Sequence, residues 1–420
     1  MDSTGKSNWM SQISSFIGEY TLAEPGYSPL ALAGLLTDKF LISPGEASKL
    51  AGLIDQERNI NRPFLAAMEL NLTFNCNLAC QYCFVRRKTP GRMAEATAKQ
   101  AIDLLLDRAV VPEVTITLIG GEPLLEMALI EQIVPYAAEA ARRRNQYVNW
   151  TITTNGTLID ESVLKFFARN RISILLSIDG GPESHDRYRL TKSGAGTWHK
   201  IVGLIPLMKK YQPQLGARMT VSPEALDAMV DDFRQLVALG LYNLIIGPAH
   251  GPVQWTKKQI EQYGLNLVAI IHDYHQYKKG GLPLFIEELE QQTAYIGWGC
   301  RAGRTSLAVA PDGSVSPCSK LLGLEDEAGR GIIGNVNESI DTRLLEPFWN
   351  SGNRQPQNCK HCCQRCGGGC YAVNFEQTGN HFMPSEENCL FWTVSQEVKQ
   401  ISHRWATGTR GSCGPQHTGV

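Results

Sequence analysis

Between residues 66 and about 280, short runs rich in β-branched and alternating apolar side chains are separated by longer stretches with helical periodicity. The pattern predicts strands at 67–73 (AMELNLT), 113–119 (EVTITLI), 148–153 (VNWTIT), 172–178 (ISILLSI), 216–222 (GARMTVS) and 241–246 (LYNLII). Helices are predicted between them at 94–108, 124–146, 160–169, 197–211 and 224–239. Six strand-then-helix units in succession call for a parallel sheet with right-handed crossovers, as a partial barrel or a doubly wound sheet.

The unusual residues fall at the carboxyl ends of these strands. The first strand runs into Asn75-Cys76, the second into Gly120-Gly121-Glu122-Pro123, the third into Thr154-Asn155-Gly156 and the fourth into Asp179-Gly180. In a barrel of parallel strands that rim carries the active site. The expected fold class is therefore α/β, a partial (β/α)6 TIM-like barrel, with a cysteine-rich C-terminal domain and a small N-terminal helical or winged-helix segment.

The domains expected are a lead-in at 1–64, the barrel at 65–285, the cysteine-rich region at 286–395 and a C-terminal helix end and flexible tail at 396–420. In the lead-in, Ser43-Pro44-Gly45-Glu46 reads as a helix start, with Ser43 as cap and Pro44 in the first turn. The tail, ATGTRGSCGPQHTGV, has the composition of a disordered end.

Composition narrows the classes. The 420 residues are 43% hydrophobic and 19% charged, enough for large cores without disulfide staples. Forty basic and 41 acidic side chains leave a net charge of −1, which excludes a strongly basic nucleic-acid binder. No apolar run approaches the ~18 residues of a membrane helix, and the first residues lack a secretory signal, so a cytoplasmic location without membrane partners is expected. The departure is twelve cysteines, which in a reducing compartment read as metal ligands before disulfides.

Cys76-Asn-Leu-Ala-Cys80-Gln-Tyr82-Cys83 places three thiolates on one loop, enough for three corners of a cubane cluster with a fourth iron left open. Read alone, it equally suits a zinc knot completed by a distant ligand. With the Gly-Gly-Glu-Pro segment after the second strand, the chain resembles the radical S-adenosylmethionine superfamily. The resemblance covers about 66–280. It implies a [4Fe-4S] cluster on Cys76, Cys80 and Cys83, whose open iron is chelated by the amino and carboxylate groups of S-adenosylmethionine and whose reduction yields a 5'-deoxyadenosyl radical. The cofactor's ammonium, carboxylate, ribose and adenine call for acceptors, donors and an apolar platform. Gly120 and Gly121 allow close backbone approach, and Glu122 is suited to the ammonium. Thr153, Asn155, Ser177 and Asp179 are placed for ribose or carboxylate hydrogen bonds, Tyr82 for the adenine, and Arg189 and Arg218 for the carboxylate. Thr-Asn-Gly and Asp-Gly are also ordinary turn chemistry, and an arginine is more often a surface ion pair.

With Cys413 set aside as a tail residue, eight cysteines remain between 300 and 389, two sets of four. SLAVAPDGSVSPC between Cys300 and Cys318 reads as a β-hairpin turning at Asp312-Gly313. Cys359, Cys362, Cys363, Cys366 and Cys370 follow, then Cys389. Such C-x-x-C pairs are also common zinc knuckles. The array resembles the SPASM extension of radical enzymes, with up to two auxiliary [4Fe-4S] clusters. That resemblance implies Cys300, Cys318 and Cys370 on one cluster and Cys359, Cys362, Cys366 and Cys389 on the other. The chain departs from it where three residues instead of five separate Cys362 from Cys366, and where Cys363 is additional, a candidate fourth ligand of the first cluster. Filling these sites supplies folding energy that the sparse apolar content of this region does not.

The implied function is hydrogen abstraction from a residue of a ribosomally made peptide, giving a thioether or carbon-carbon cross-link or an oxidised residue. A reductant such as flavodoxin or ferredoxin is the expected partner, and 1–64 is a candidate leader-peptide element. The alternatives are an anaerobic sulfatase-maturing, formylglycine-forming enzyme and a non-catalytic iron-sulfur carrier. A carrier has no need of the Gly-Gly-Glu rim. No Ser-His-Asp arrangement, phosphate loop or dinucleotide fingerprint competes, and Gly367-Gly368-Gly369 reads as close packing around a cluster. No motif names a residue that transfers protons to or from substrate.

Overall fold

The six expected strands all form and pair in chain order: β1 Ala67–Thr73, β2 Glu113–Gly120, β3 Tyr147–Thr154, β4 Ile172–Ser177, β5 Gly216–Val221 and β6 Asn243–Pro248. The computed structural model describes residues 65–86, 91–109, 111–290, 298–360, 362 and 366–407. The lead-in with Ser43 and Pro44, Cys363 and the tail with Cys413 lie outside them.

Helices α1 Glu95–Arg108, α2 Met127–Arg143, α3 Glu161–Asn170, α5 Trp198–Tyr211 and α6 Met229–Ala238 connect the strands. The sequence pattern missed α4, Pro182–Tyr188, whose seven polar-rich residues carry no apolar stripe. A long helix, α7 Lys257–Lys279, starts at a reciprocal capping box between Thr256 and Gln259 and leads to a short strand β7, Phe285–Ile286.

All neighbours from β1 to β7 are parallel. Alternation explains how the sheet is covered. On β2, Val114, Ile116 and Leu118 are fully buried in one cluster with helix residues such as Leu105 and Ile133. The intervening Thr115, Thr117 and Ile119 point to the other face, the inner face of a partial barrel, and stay half-buried. Each buried aliphatic side chain contributes roughly 1.5–3 kcal/mol, so the apolar row fixes the register. Cross-strand pairing carries the polar parity around the inner face: Glu69 opposes Thr117, Thr117 opposes Thr151, Thr153 opposes Leu175, and Ser177 opposes Arg218. The inner face is therefore a lumen lined largely by polar side chains, with Ile119 and Leu175 among them.

The predicted hairpin forms as β8 Ser306–Val309 and β9 Ser314–Ser316, turning at Asp312 and Gly313, where φ is +86°. Its placement was not legible from the sequence. β8 adds in parallel to the free edge of β1, pairing Ala67–Leu70 with Ser306–Val309, and β10 Gly334–Asn335 follows β9. One ten-stranded sheet thus runs through barrel and C-terminal region. Asn71 Nδ2 donates to the Val309 carbonyl (3.2 Å) and to Ser319 Oγ (2.9 Å), and Glu69 accepts from the Ser319 amide (2.7 Å). Helices α8 Tyr371–Thr378 and α9 Glu386–Thr407 complete the described chain. Among the described residues no helix is long and apolar enough to cross a membrane.

Candidate functional site

β1 ends at Thr73, and the chain opens into the loop that carries Cys76, Cys80 and Cys83. Burial pushes the Cys80 thiol up to about 11, with Cys83 and Cys76 adding to the rise and Arg189 opposing it, so the three sulfurs are electrostatic neighbours. Among the described residues no three His, Cys, Asp or Glu side chains converge as one metal ion requires. Three thiolates on one loop suit three corners of a cubane cluster.

The loop is braced from the ends of β2 and β3. At Gly121 a Cβ would stand 1.9 Å from the Asn75 carbonyl oxygen, and at Gly120, with φ +133°, 2.3 Å from that of Thr73. Only glycine lets β2 pass this close to the cysteine loop. Glu122, 1% exposed, accepts from Thr154 Oγ1 (2.7 Å), the Asn155 amide (2.8 Å) and the Leu124 amide (3.1 Å). Burial raises its carboxyl and those three bonds oppose the rise. Asn155 Nδ2 donates to Asn77 Oδ1 (2.9 Å) and lies 3.9 Å from Cys76 Sγ, and its own Oδ1 accepts from Thr157. Asn77 donates to Thr157 Oγ1 (2.7 Å).

A second brace stands on the other side of the loop. The Tyr82 hydroxyl donates to Asp179, and Arg189 grips the same carboxylate with Nε (2.7 Å) and Nη2 (3.0 Å). The Thr220 amide supplies the fourth donor (2.9 Å). Arg189 lies over the Tyr82 ring at 5.3 Å, and the Tyr188 ring packs on it at 5.3 Å. Burial holds the Tyr82 phenol well above its usual range.

Glu122, Asn155, Asp179, Arg189 and Tyr82, the expected cofactor contacts, stand together around the cysteine loop. Their polar atoms are engaged within the protein, and the Tyr82 ring is 8% exposed between Arg189 and Tyr188. The sequence reading did not single out Asn77, Thr157, Tyr188 or His185, because no spacing rule marks a group that holds a loop rather than a ligand.

Three candidates do face the lumen. Thr153 and Arg218 are half-buried on β3 and β5, and Ser177 lies at the end of β4 beside Arg218. Arg218 shares its surroundings with Glu288, Tyr263 and His250. Burial raises Tyr263 and Glu288 and lowers His250. Together these groups offer hydroxyls and one guanidinium to a ribose and a carboxylate, and Gly120-Gly121 leave the backbone open for close approach. The residues present thus fit a three-thiolate cluster and its sulfonium cofactor.

The C-terminal cysteines divide into two groups. Cys300, Cys318 and Cys370 are neighbours, packed against Ala302, Phe348, Tyr371 and Phe382, and burial pushes Cys300 and Cys318 up. The Cys300 amide donates to the Tyr371 hydroxyl (3.0 Å). Cys359, Cys362, Cys366 and Cys389 form the other group, with Cys362 and Cys389 exposed. Gly368 and Gly369, both at φ near +80°, press against Trp298 and Asn388.

A cleft of about 730 Å³ opens beside the loop that follows β6. The loop 251–255, Arg86 just after Cys83, and Glu376, Glu386 and Glu387 from α8 and α9 line it. Arg86 spans to Glu376 at 2.6 Å.

Comparison with known proteins agrees with this division. The chain matches the radical SAM superfamily over residues 70–237 and, over 300–367, the iron-sulfur cluster-binding SPASM domain. It is 26% identical to the serine-type anaerobic sulfatase-maturating enzyme of Klebsiella aerogenes over 325 residues, 73% of this chain and 79% of that protein. It is 22% identical to AlbA, the antilisterial bacteriocin subtilosin biosynthesis protein of Bacillus subtilis, over 88% of this chain and 80% of that one. The structure of native anSMEcpe with bound AdoMet and Cp18Cys peptide shares the fold, with TM-score 0.66 and 22% identity, covering 82% of this chain and 99% of that one.

Proposed function

Because the chain belongs to the radical SAM superfamily and carries a SPASM domain, we propose that it is a maturase acting on a ribosomally made precursor peptide. The product is a thioether or carbon-carbon cross-link, or an oxidised residue. The observation that carries the reading is the presence of three separate thiol groups in one chain, one at the rim of a polar lumen and two in the C-terminal region. When loaded and reduced, a [4Fe-4S] cluster at Cys76, Cys80 and Cys83 supplies homolysis of S-adenosylmethionine to methionine and a 5'-deoxyadenosyl radical.

The chain's own residues supply placement. Thr153, Ser177 and Arg218 hold the polar parts of the cofactor in the lumen. Gly120-Gly121 admit it past the strand ends, and the walls of the lumen keep water from a reactive carbon centre. The cleft between the 251–255 loop and α8–α9 is the candidate surface for the peptide. Cys300, Cys318 and Cys370 on one side, and Cys359, Cys362, Cys366 and Cys389 on the other, would hold auxiliary iron-sulfur clusters, which would supply an acceptor for the electron that an oxidised product leaves over. Residues 1–64 are a candidate leader-peptide element, and a flavodoxin or ferredoxin is the candidate reductant.

Likeness to the Klebsiella sulfatase-maturating enzyme supports a second reading, oxidation of a serine or cysteine to formylglycine. Both readings are tested by incubating anaerobically reconstituted protein with S-adenosylmethionine, reductant and two substrates, a precursor peptide encoded beside it and a sulfatase-derived peptide. Release of 5'-deoxyadenosine with a mass change in the precursor alone supports the first. An aldehyde on the sulfatase peptide alone replaces it with the second.

A further inference from the structure

We propose that Asp179 and Arg189 are positioning residues for the first cysteine loop: they hold Cys80–Cys83 in place before any cluster is present and set the electric field at Cys80. The proposal rests on assigning the catalytic cluster to Cys76, Cys80 and Cys83.

The geometry is that of a clamp. Asp179 stands just past β4, and four donors from three different parts of the chain converge on its two oxygens: Tyr82 from the cysteine loop, Arg189 twice from the end of α4, and Thr220 from β5. The residues after Arg189 dock on the loop main chain. The Ala79 amide donates to the Leu190 carbonyl (2.8 Å), and Leu78 and Thr191 form an antiparallel bridge. Behind the clamp, His185 is fully buried. Its Nδ1 accepts from the Asp179 amide (3.3 Å), its Nε2 donates to Thr197 Oγ1 (3.0 Å), and that hydroxyl donates to the Arg189 carbonyl (2.8 Å). Asp186 accepts from the amides of Thr197 (2.7 Å) and Trp198 (2.9 Å). Every bond in this chain has a donor and an acceptor in the right order, and none uses a metal.

Burying an ion pair in such a place is poor value as stability, since an apolar pair of like size usually does as well. Here the pair does something an apolar pair cannot. The guanidinium, 8% exposed, lies 5.3 Å over the ring of Tyr82, which stands between Cys80 and Cys83, while the lone pairs of Asp179 are directed at four donors. Reducing a cluster adds a negative charge to it. A fixed positive charge beside one of its thiolates favours the reduced form, more so where water is excluded.

The test uses anaerobically reconstituted full-length protein and follows the cluster whose electron paramagnetic resonance signal changes when S-adenosylmethionine is added. In an Arg189→Gln/Asp179→Asn protein, which leaves no lone buried charge, the reduced-to-oxidised ratio of that cluster at fixed potential should fall about tenfold, or 59 mV for one electron. The auxiliary signals should not move. Arg189→Lys should keep the ratio within about threefold but lose the cluster to a chelator several times faster, because an ammonium cannot make the forked grip. An unchanged ratio and unchanged chelator half-life in the double variant would overturn the proposal. Should that variant lose all its iron, Tyr82→Phe removes a single hydroxyl, and a chelator half-life equal to the parent's would overturn it equally. A parent protein with no signal that responds to S-adenosylmethionine would instead remove the cluster assignment beneath it.

Discussion

The first cysteine loop and the Cys359, Cys362, Cys366 and Cys389 group hold thiols in opposite ways. The first is hung between strand ends by Asn155, Glu122, Tyr82 and Asp179, with a backbone bridge at Leu78 and Thr191. The second places Cys359 on the single turn Gln357–Lys360 and Cys389 on the first turn of α9, with Cys362 and Cys389 exposed. A scaffold made without metal leaves a coordination position free for chemistry. Thiols that lack such a scaffold rely on the metal for their arrangement, and a fully ligated cluster is the natural result.

The largest effect that would separate the two comes from Cys76→Ala/Cys80→Ala/Cys83→Ala. Release of 5'-deoxyadenosine should fall to background while auxiliary iron stays, and loss of all iron would show that the two regions are one folding unit. Chelation of the parent protein should act the other way round. Amide protection across 351–390 should fall by about a hundredfold or more, with Cys362 and Cys389 alkylated first, while the amides of Leu78 and Ala79 remain protected. Equal loss of protection would dissolve the contrast.

Gly121→Ala tests the scaffold itself. The new Cβ would overlap the Asn75 oxygen, and a shift of about 1 Å in the loop should lower S-adenosylmethionine cleavage about a hundredfold without changing auxiliary iron. Glu122→Gln leaves the shape but turns one acceptor into a donor facing donors, and should cost roughly 1–3 kcal/mol in denaturant unfolding.

The smallest effect is His185, which burial and then Arg189 lower to about 4. Its folded value lies below the unfolded ~6.5, so the unfolded chain binds the proton first and stability falls as pH drops through that window. Between pH 7.5 and 5.5 the loss should be about 1 kcal/mol, and His185→Gln should abolish that part of the slope.

Much of this was legible from the residues. Strand ends at Asn75, Gly120, Thr154 and Asp179 stood out because β propensity stops there and turn chemistry begins. The division of the C-terminal cysteines was implied by the SPASM resemblance, while Cys363, its additional member, lies outside the described residues. What could not be read was direction. Asp179, Arg189, Glu122 and Asn155 have the chemistry of ligands, and only folding shows that each points at another part of the chain. Arg189 meets Asp179 because α4, a short helix without an apolar stripe, turns the chain back. β8 finds β1 across more than 230 residues, a pairing that local pattern does not encode.

That pairing has a mechanical consequence. Four residues of β8 hydrogen-bond into the first barrel strand, and Glu69 and Asn71 reach across to Ser319, the neighbour of Cys318. The Cys300–Cys318–Cys370 group is therefore attached to the barrel by a sheet rather than a hinge. It cannot swing toward or away from the lumen without unzipping β-structure, so its separation from the radical-forming loop is a fixed length. An exchange of auxiliary regions between such enzymes would succeed only where the recipient's first strand offers an edge with matching register.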